Sequence, residues 1–102
     1  MPKLPSPVPM SELRAAIAAQ RVIVVWHQGE EIEIEPHALL QAAKTHALVL
    51  AACKPSDRMG PWRFYRFAEI RGLQLRDEFF DRRTDLPEFV PVARPNKTSR
   101  GL

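Results

Sequence analysis

The sequence predicts a mainly β domain: a small five-stranded antiparallel barrel behind one short N-terminal helix. Two observations carry this. Apolar residues recur at helical spacing only over "SELRAAIAAQ" (11–20), and from Arg21 onward the period switches to two. Five short runs follow, and no segment between them is long enough for a parallel crossover. A sheet of five such strands avoids exposed edges best by closing on itself.

The elements follow in order. "MPKLPSPVPM" (1–10) holds four prolines and reads as an extended arm. Ser11 suits an N-cap, and Leu13, Ala16 and Ile17 form a narrow apolar stripe. "RVIVVWH" (21–27) is dense in β-branched residues and predicts the first strand, with "QGE" as its turn. "EIEIEP" (31–36) alternates, placing Ile32 and Ile34 inward and Glu31, Glu33 and Glu35 on the solvent face, and Pro36 ends it. "HALLQAAKT" fits either a helical turn or a continued, bent strand. "HALVLAAC" (46–53) is apolar on both faces, as in a central strand. "KPSDRMGP" is a loop, "WRFYRF" (62–67) the fourth strand, "AEIRG" a turn and "LQLRD" (73–77) the fifth strand. Beyond Phe80 only Leu86, Phe89 and Val92 are candidates to pack back. The division expected is an arm (1–10), one domain (11–92) and a disordered basic tail (93–102).

A chain of 102 residues with 45% hydrophobic residues supports one modest core. It has no apolar run of the roughly 18–20 residues that span a bilayer, and its N-terminus lacks the apolar stretch of a signal peptide. The one cysteine, Cys53, lies in "ALVLAAC" and reads as a small buried thiol. A reducing, bacterial cytoplasm is the setting expected. The net charge of +3 resides in Arg94, Lys97 and Arg100, since residues 1–92 hold 12 basic and 12 acidic groups. That neutral body is polarised. Four glutamates crowd residues 30–35, whereas Lys54 to Arg83 holds eight basic groups against five acidic ones. Such an arrangement steers anions to one side.

"WRFYRFAEIRG" (62–72) interleaves three arginines with four aromatics. On a strand, Trp62, Phe64 and Arg66 share one face, and Arg63, Tyr65 and Phe67 the other. A guanidinium beside two large rings is either a buried structural ion, paired with Glu69 or Asp77, or the anchor of an anion site. In the second case it offers a planar fork to phosphate while the rings stack on a base. Arg58, Arg63, Arg71 and Arg76 would form a phosphate-tracking rim, or simply a solvated face. His27 and His37, with Glu31 or Glu35, have no metal-ligand spacing, so neither metal nor cofactor is expected. No nucleophile triad, P-loop, H-E-x-x-H or C-x-x-C occurs, so no enzyme is expected.

Three tracts, "AAIAAQRVIVVWHQGEEIEIEPHAL", "THALVLAAC" and "WRFYRFAEIRGLQLRDEFFDRR", resemble the WYL domain family over about residues 12–83. Tyr65, Arg66 and Ile70 match the family's aromatic-Arg-x-x-x-Ile segment, and "LQLRDEFF" its closing motif. The resemblance implies an Sm-like barrel and a role in bacterial transcription regulation. Where the family has Trp-Tyr-Leu, this chain has His46-Ala47-Leu48, so the two aromatics that would wall a ligand pocket are missing there. The ten residues before the helix are too few for the winged helix that usually precedes these barrels.

The function expected is therefore a non-enzymatic ligand-sensing or regulatory module. It would bind a nucleotide or short single-stranded nucleic acid through Arg66, Arg63, Arg71, Arg76, His46, Trp62 and Phe64, and modulate a regulatory protein partner away from any membrane. The alternative is a structural protein-interaction or homo-oligomerising domain with a decayed pocket. A general RNA chaperone fits the neutral body poorly.

Overall fold

The computed structural model describes residues 6–88. One helix, α1 (Met10–Ala19), precedes five strands: β1 (Arg21–His27), β2 (Glu30–Gln41), β3 (Leu48–Cys53), β4 (Arg63–Arg66) and β5 (Ile70–Phe79). They form one antiparallel sheet in the order β4-β3-β2-β1-β5, and a 3₁₀ turn, Phe67–Glu69, joins β4 to β5.

The helix starts one turn's fraction earlier than the cap expected at Ser11. Pro9 is the N-cap, and its carbonyl accepts from the Glu12 and Leu13 N–H groups, both at 3.1 Å. Proline serves here because its extended φ leads into the helix and it has no N–H to leave unpaired. Ser11 falls inside the first turn. The stripe is as expected: Leu13 and Ala16 are buried and Ile17 packs against the core. Gln20 ends the helix in the left-handed region (φ 56, ψ 48).

β1 and β2 meet in a two-residue turn whose residues, Gln28 and Gly29, both have positive φ (52 and 81). That backbone matches the twist of the flanking strands, and glycine adopts it without steric cost. β2 does not end at Pro36. Pro36 pairs with Ala52 and Ala38 with Ala51, so His37 is one extra residue, a bulge, and the strand bends and runs on to Gln41. A missing N–H is tolerated at a bulge, and "HALLQ" is the continued, bent strand. β3 starts at Leu48, later than expected, because His46 turns the chain with φ 59. β5 extends beyond 73–77 in both directions.

Register and burial define two sheet faces. The inner face holds Ile23, Val25, Ile34, Leu50, Ala52, Tyr65 and Ile70, covered by Leu13 and Ala16 of α1 and by Val8. The N-terminal arm is thus partly structural. The Gly72 N–H donates to the Ser6 carbonyl (2.8 Å), Pro7 bridges to Arg71, and Val8 joins the core. The outer face carries Val24, Glu35, Ala38, Val49, Ala51 and Cys53. At the far end, the Gln20 amide donates to the Phe80 carbonyl (2.8 Å) and the Phe80 N–H to the Gln20 carbonyl (2.9 Å). No ladder joins β4 to β5 among the described residues, so the sheet is open at those two strands. β4 has only four residues before the chain turns. No helix among the described residues is long and apolar enough to cross a membrane. The tail expected from residue 93, and Phe89 and Val92, lie outside the described residues.

Candidate functional site

Two regions of the outer face of β2–β4 hold the chemistry. The first is the end of the sheet where β4 gives way to the 3₁₀ turn. Arg66 pairs in register with Val49, which pairs with Leu40; Phe64 pairs with Ala51, which pairs with Ala38. Cross-strand partners share a face, so Arg66 and Phe64 overlie a floor of small and branched apolar residues. Tyr65, between them, points into the core. Arg66 is exposed and makes no ion pair or side-chain hydrogen bond among the described residues. The carboxylates named as its structural partners lie nearer other groups: Glu69 is 3.7 Å from His27 Nε2 and Asp77 3.7 Å from Arg21. His46 is exposed in the loop before β3, at this same end of the sheet, and its carbonyl accepts from Gln41 Nε2 (3.2 Å).

The remaining expected residues lie apart from this group. Arg63 is exposed on the opposite face of β4, in register with Ala52. Arg71, exposed, neighbours Trp26 across β1. Arg76 reaches Glu33 at 3.3 Å, on the face that carries Val24. Trp62 precedes β4 and is not free to stack on a base. Its indole N–H donates to the Asp85 carbonyl (3.2 Å), its ring lies edge-on to His37, and the Arg83 guanidinium stacks over it at 4.3 Å.

Trp62 belongs to the second region, a buried polar cluster. Glu35 is buried (1% exposed) rather than on a solvent face, as are His37 (2%) and Cys53 (0%). Alternation turned Glu35 away from the inner face as expected, but loop 54–62 and the segment after Phe80 cover the outer face at this point. Glu35 Oε2 accepts from Arg58 Nε at 2.6 Å, and its Oε1 from the Cys53 thiol at 3.6 Å. His37 Nδ1 donates to the Glu35 carbonyl (3.0 Å), so Nε2 is the bare nitrogen. That Nε2 is buried without a hydrogen-bond partner among the described residues, and the His37 ring packs against those of Trp62 and Phe80. Burial pushes the Cys53 thiol above its ordinary value, which favours the protonated form that donates to Glu35. Arg83 straps the segment down by donating to the carbonyls of Arg58 (3.1 Å) and Gly60 (2.8 Å) while holding Asp85 in a two-point ion pair. Through this pair Arg83 lowers the Asp85 pKa and Asp85 raises that of Arg83.

Comparison with known protein families, curated proteins and solved structures gives no match. Among the described residues no group of three or more His, Cys, Asp or Glu is arranged to hold a metal. In the buried cluster, His37 faces the Cys53 sulfur with the nitrogen it has already committed to a carbonyl, and two guanidiniums oppose a cation. The cluster fastens loop 54–62 and the strap to the sheet, whereas the Arg66 end is open to solvent. Sequence reasoning missed Arg83, because "DRRTD" has no period, and missed the burial of Glu35, because alternation assigns a face but not what covers it.

One consequence is measurable. Burial, helped by Arg83 and Arg82, lowers the His37 pKa against the pull of Glu35. Between the ordinary histidine value of 6.5 and the depressed folded value, the unfolded chain binds a proton that the folded chain does not. The stability contributed by neutral His37 is complete above pH 6.5 and is lost as pH falls from there through that window. Denaturant melts at several pH values should show this acid slope, and His37→Leu should remove it. An unchanged slope in that variant would show that His37 is not the group responsible.

Proposed function

We propose that the domain is a non-enzymatic anion-binding module, taking a nucleotide or short single-stranded nucleic acid against the outer face of β4 and passing that occupancy to a protein partner. Arg66 holds the phosphate, Phe64 supplies the stacking surface, and His46 contributes a polar edge. The observation that carries the reading is the exposed Arg66, without a carboxylate partner among the described residues, on one strand face with Phe64. A guanidinium left in water beside an aromatic ring is ready to exchange hydration for a phosphate fork. The strand order, with a 3₁₀ turn between β4 and β5, supports an Sm-like barrel path. The resemblance to WYL domains supports a setting in transcription regulation in a bacterial cytoplasm.

The test is a titration with a fluorescent decathymidylate and with a nucleoside monophosphate. Arg66→Ala should leave the melting temperature nearly unchanged and weaken binding by about 1.5–3 kcal/mol, the scale of a hydrogen bond to a charged group. Arg66→Lys should restore only part, because the fork is lost. Arg63→Ala, on the other face, should have the smaller effect. A marked loss of stability with unchanged binding would end this reading.

A further inference from the structure

The opposite edge of the sheet has an apolar surface that the anion site does not use. β5 is a terminal strand. Its N-terminal end is met by Ser6 and Pro7, but among the described residues nothing pairs with it from Leu73 onward. Leu75 is 50% exposed and Phe79 61%. Beside them runs a groove of about 300 Å³ between α1 and β5, lined by Ala15, Ala19, Leu73 and Leu75, with Glu12 and Arg21 among its walls. An unpaired edge next to exposed large apolar residues is a template for another strand.

We propose that the occupant is a second copy of this chain, its β5 pairing antiparallel with the first about a two-fold axis at Asp77. β5 bulges against β1 between Leu75 and Phe79, where a step of four residues faces a step of two, so Leu75 and Phe79 still share a face. Its sequence, "IRGLQLRDEF", is self-complementary in the register about Asp77. Leu75 of each copy falls opposite Phe79 of the other, and Arg76 opposite Glu78. A two-fold axis perpendicular to an antiparallel pair keeps each side chain on its own face. Phe79 of one copy therefore lies next to Leu75 of the other, on the side of the groove, and fills it. Arg21, whose guanidinium sits 5.4 Å from its own Phe79 ring, lines the same space. On the outer side, Glu78 makes no ion pair among the described residues, and Arg76 has donors to spare beyond Glu33. The unfavourable element is at the axis, where Asp77 meets its copy. The Arg21 of each copy, 3.7 Å from its own Asp77, offsets part of that repulsion. One strand and one groove make a small interface, so association is weak and concentration-dependent.

Analytical ultracentrifugation of the full chain, from micromolar to millimolar, tests it. A monomer–dimer equilibrium is expected. Phe79→Ser should abolish it, and Glu78→Arg should weaken it about tenfold by setting like charges opposite at two places. Asp77→Asn should tighten it, because the repulsion at the axis goes; few registers predict a gain from that change. Circular dichroism on each variant separates lost pairing from lost folding. A monomer at every concentration, in wild type and Asp77→Asn alike, overturns the proposal. So does a dimer indifferent to Phe79→Ser, and so does one that forms only when residues 1–5 are deleted, since those residues would then be the natural occupant of the edge.

Discussion

Arg58→Ala should lower the stability of the domain by about 3 kcal/mol, even though the residue sits in a loop and half of its side chain is in water. The effect comes from what remains behind. Glu35 keeps its buried carboxylate, and only the weak thiol donor of Cys53 is left to satisfy it. Breaking a buried pair from one side is costly because the surviving charge has no solvent, whereas the intact pair contributes little by itself. Arg58 is 54% exposed, so water reaches the site more readily than a deep core, and the lower end of the range applies. For a domain of this size the loss corresponds to a fall in Tm of roughly 12–24 °C. The double variant Arg58→Ala with Glu35→Gln should recover much of it, because a neutral amide costs far less to bury. A double variant no more stable than the single one would show that the guanidinium acts through loop packing instead.

Arg83→Ala should cost about 2–3 kcal/mol and release the strap. The substitution removes two bonds from a charged donor to the carbonyls of Arg58 and Gly60, together with the stack on Trp62. The Asp85 end of the ion pair with Arg83 is 58% exposed, so solvent screens the pair and it adds less than the carbonyl bonds, although the Arg83 side chain itself is only 9% exposed. The accompanying signature is a red shift of tryptophan emission as Trp62 loses its cover. The acid slope of His37 should also flatten, since an exposed imidazole titrates near its ordinary value in both states. Unaltered emission would mean that the strap stays in place without its arginine.

These two residues mark the boundary of what was legible in the sequence. β1 could be read residue for residue, because seven consecutive residues are β-branched, aromatic or half-buried and a turn follows at once. The helix stripe was equally readable. Pro36 misled, because proline argues against a strand interior and only the pairing of its neighbours reveals the bulge at His37 that admits it. The face of Glu35 was correct and its exposure was not: Arg58, which closes over it, is 23 positions away in a loop without periodicity. At the Arg66 end, the shared strand face of Phe64 and Arg66 follows from alternation alone. That Trp62 is consumed by Arg83, His37 and the Asp85 carbonyl does not, since all three contacts are set by the tertiary path.

The reciprocal pair of hydrogen bonds between Gln20 and Phe80 closes a loop of 60 residues. It fastens the end of the helix to the end of the last strand, so all five strands lie between the two residues it joins. Closing a loop of that length costs more conformational entropy than closing any of the hairpins inside it. The pairing of β5 with β1 carries the same burden. Rapid helix formation cannot offset it, for α1 spans only ten residues and helices that short are marginal alone. The kinetics should therefore follow topology: a passage through the rate-limiting barrier on the scale of milliseconds to seconds, well behind a helical bundle of equal length.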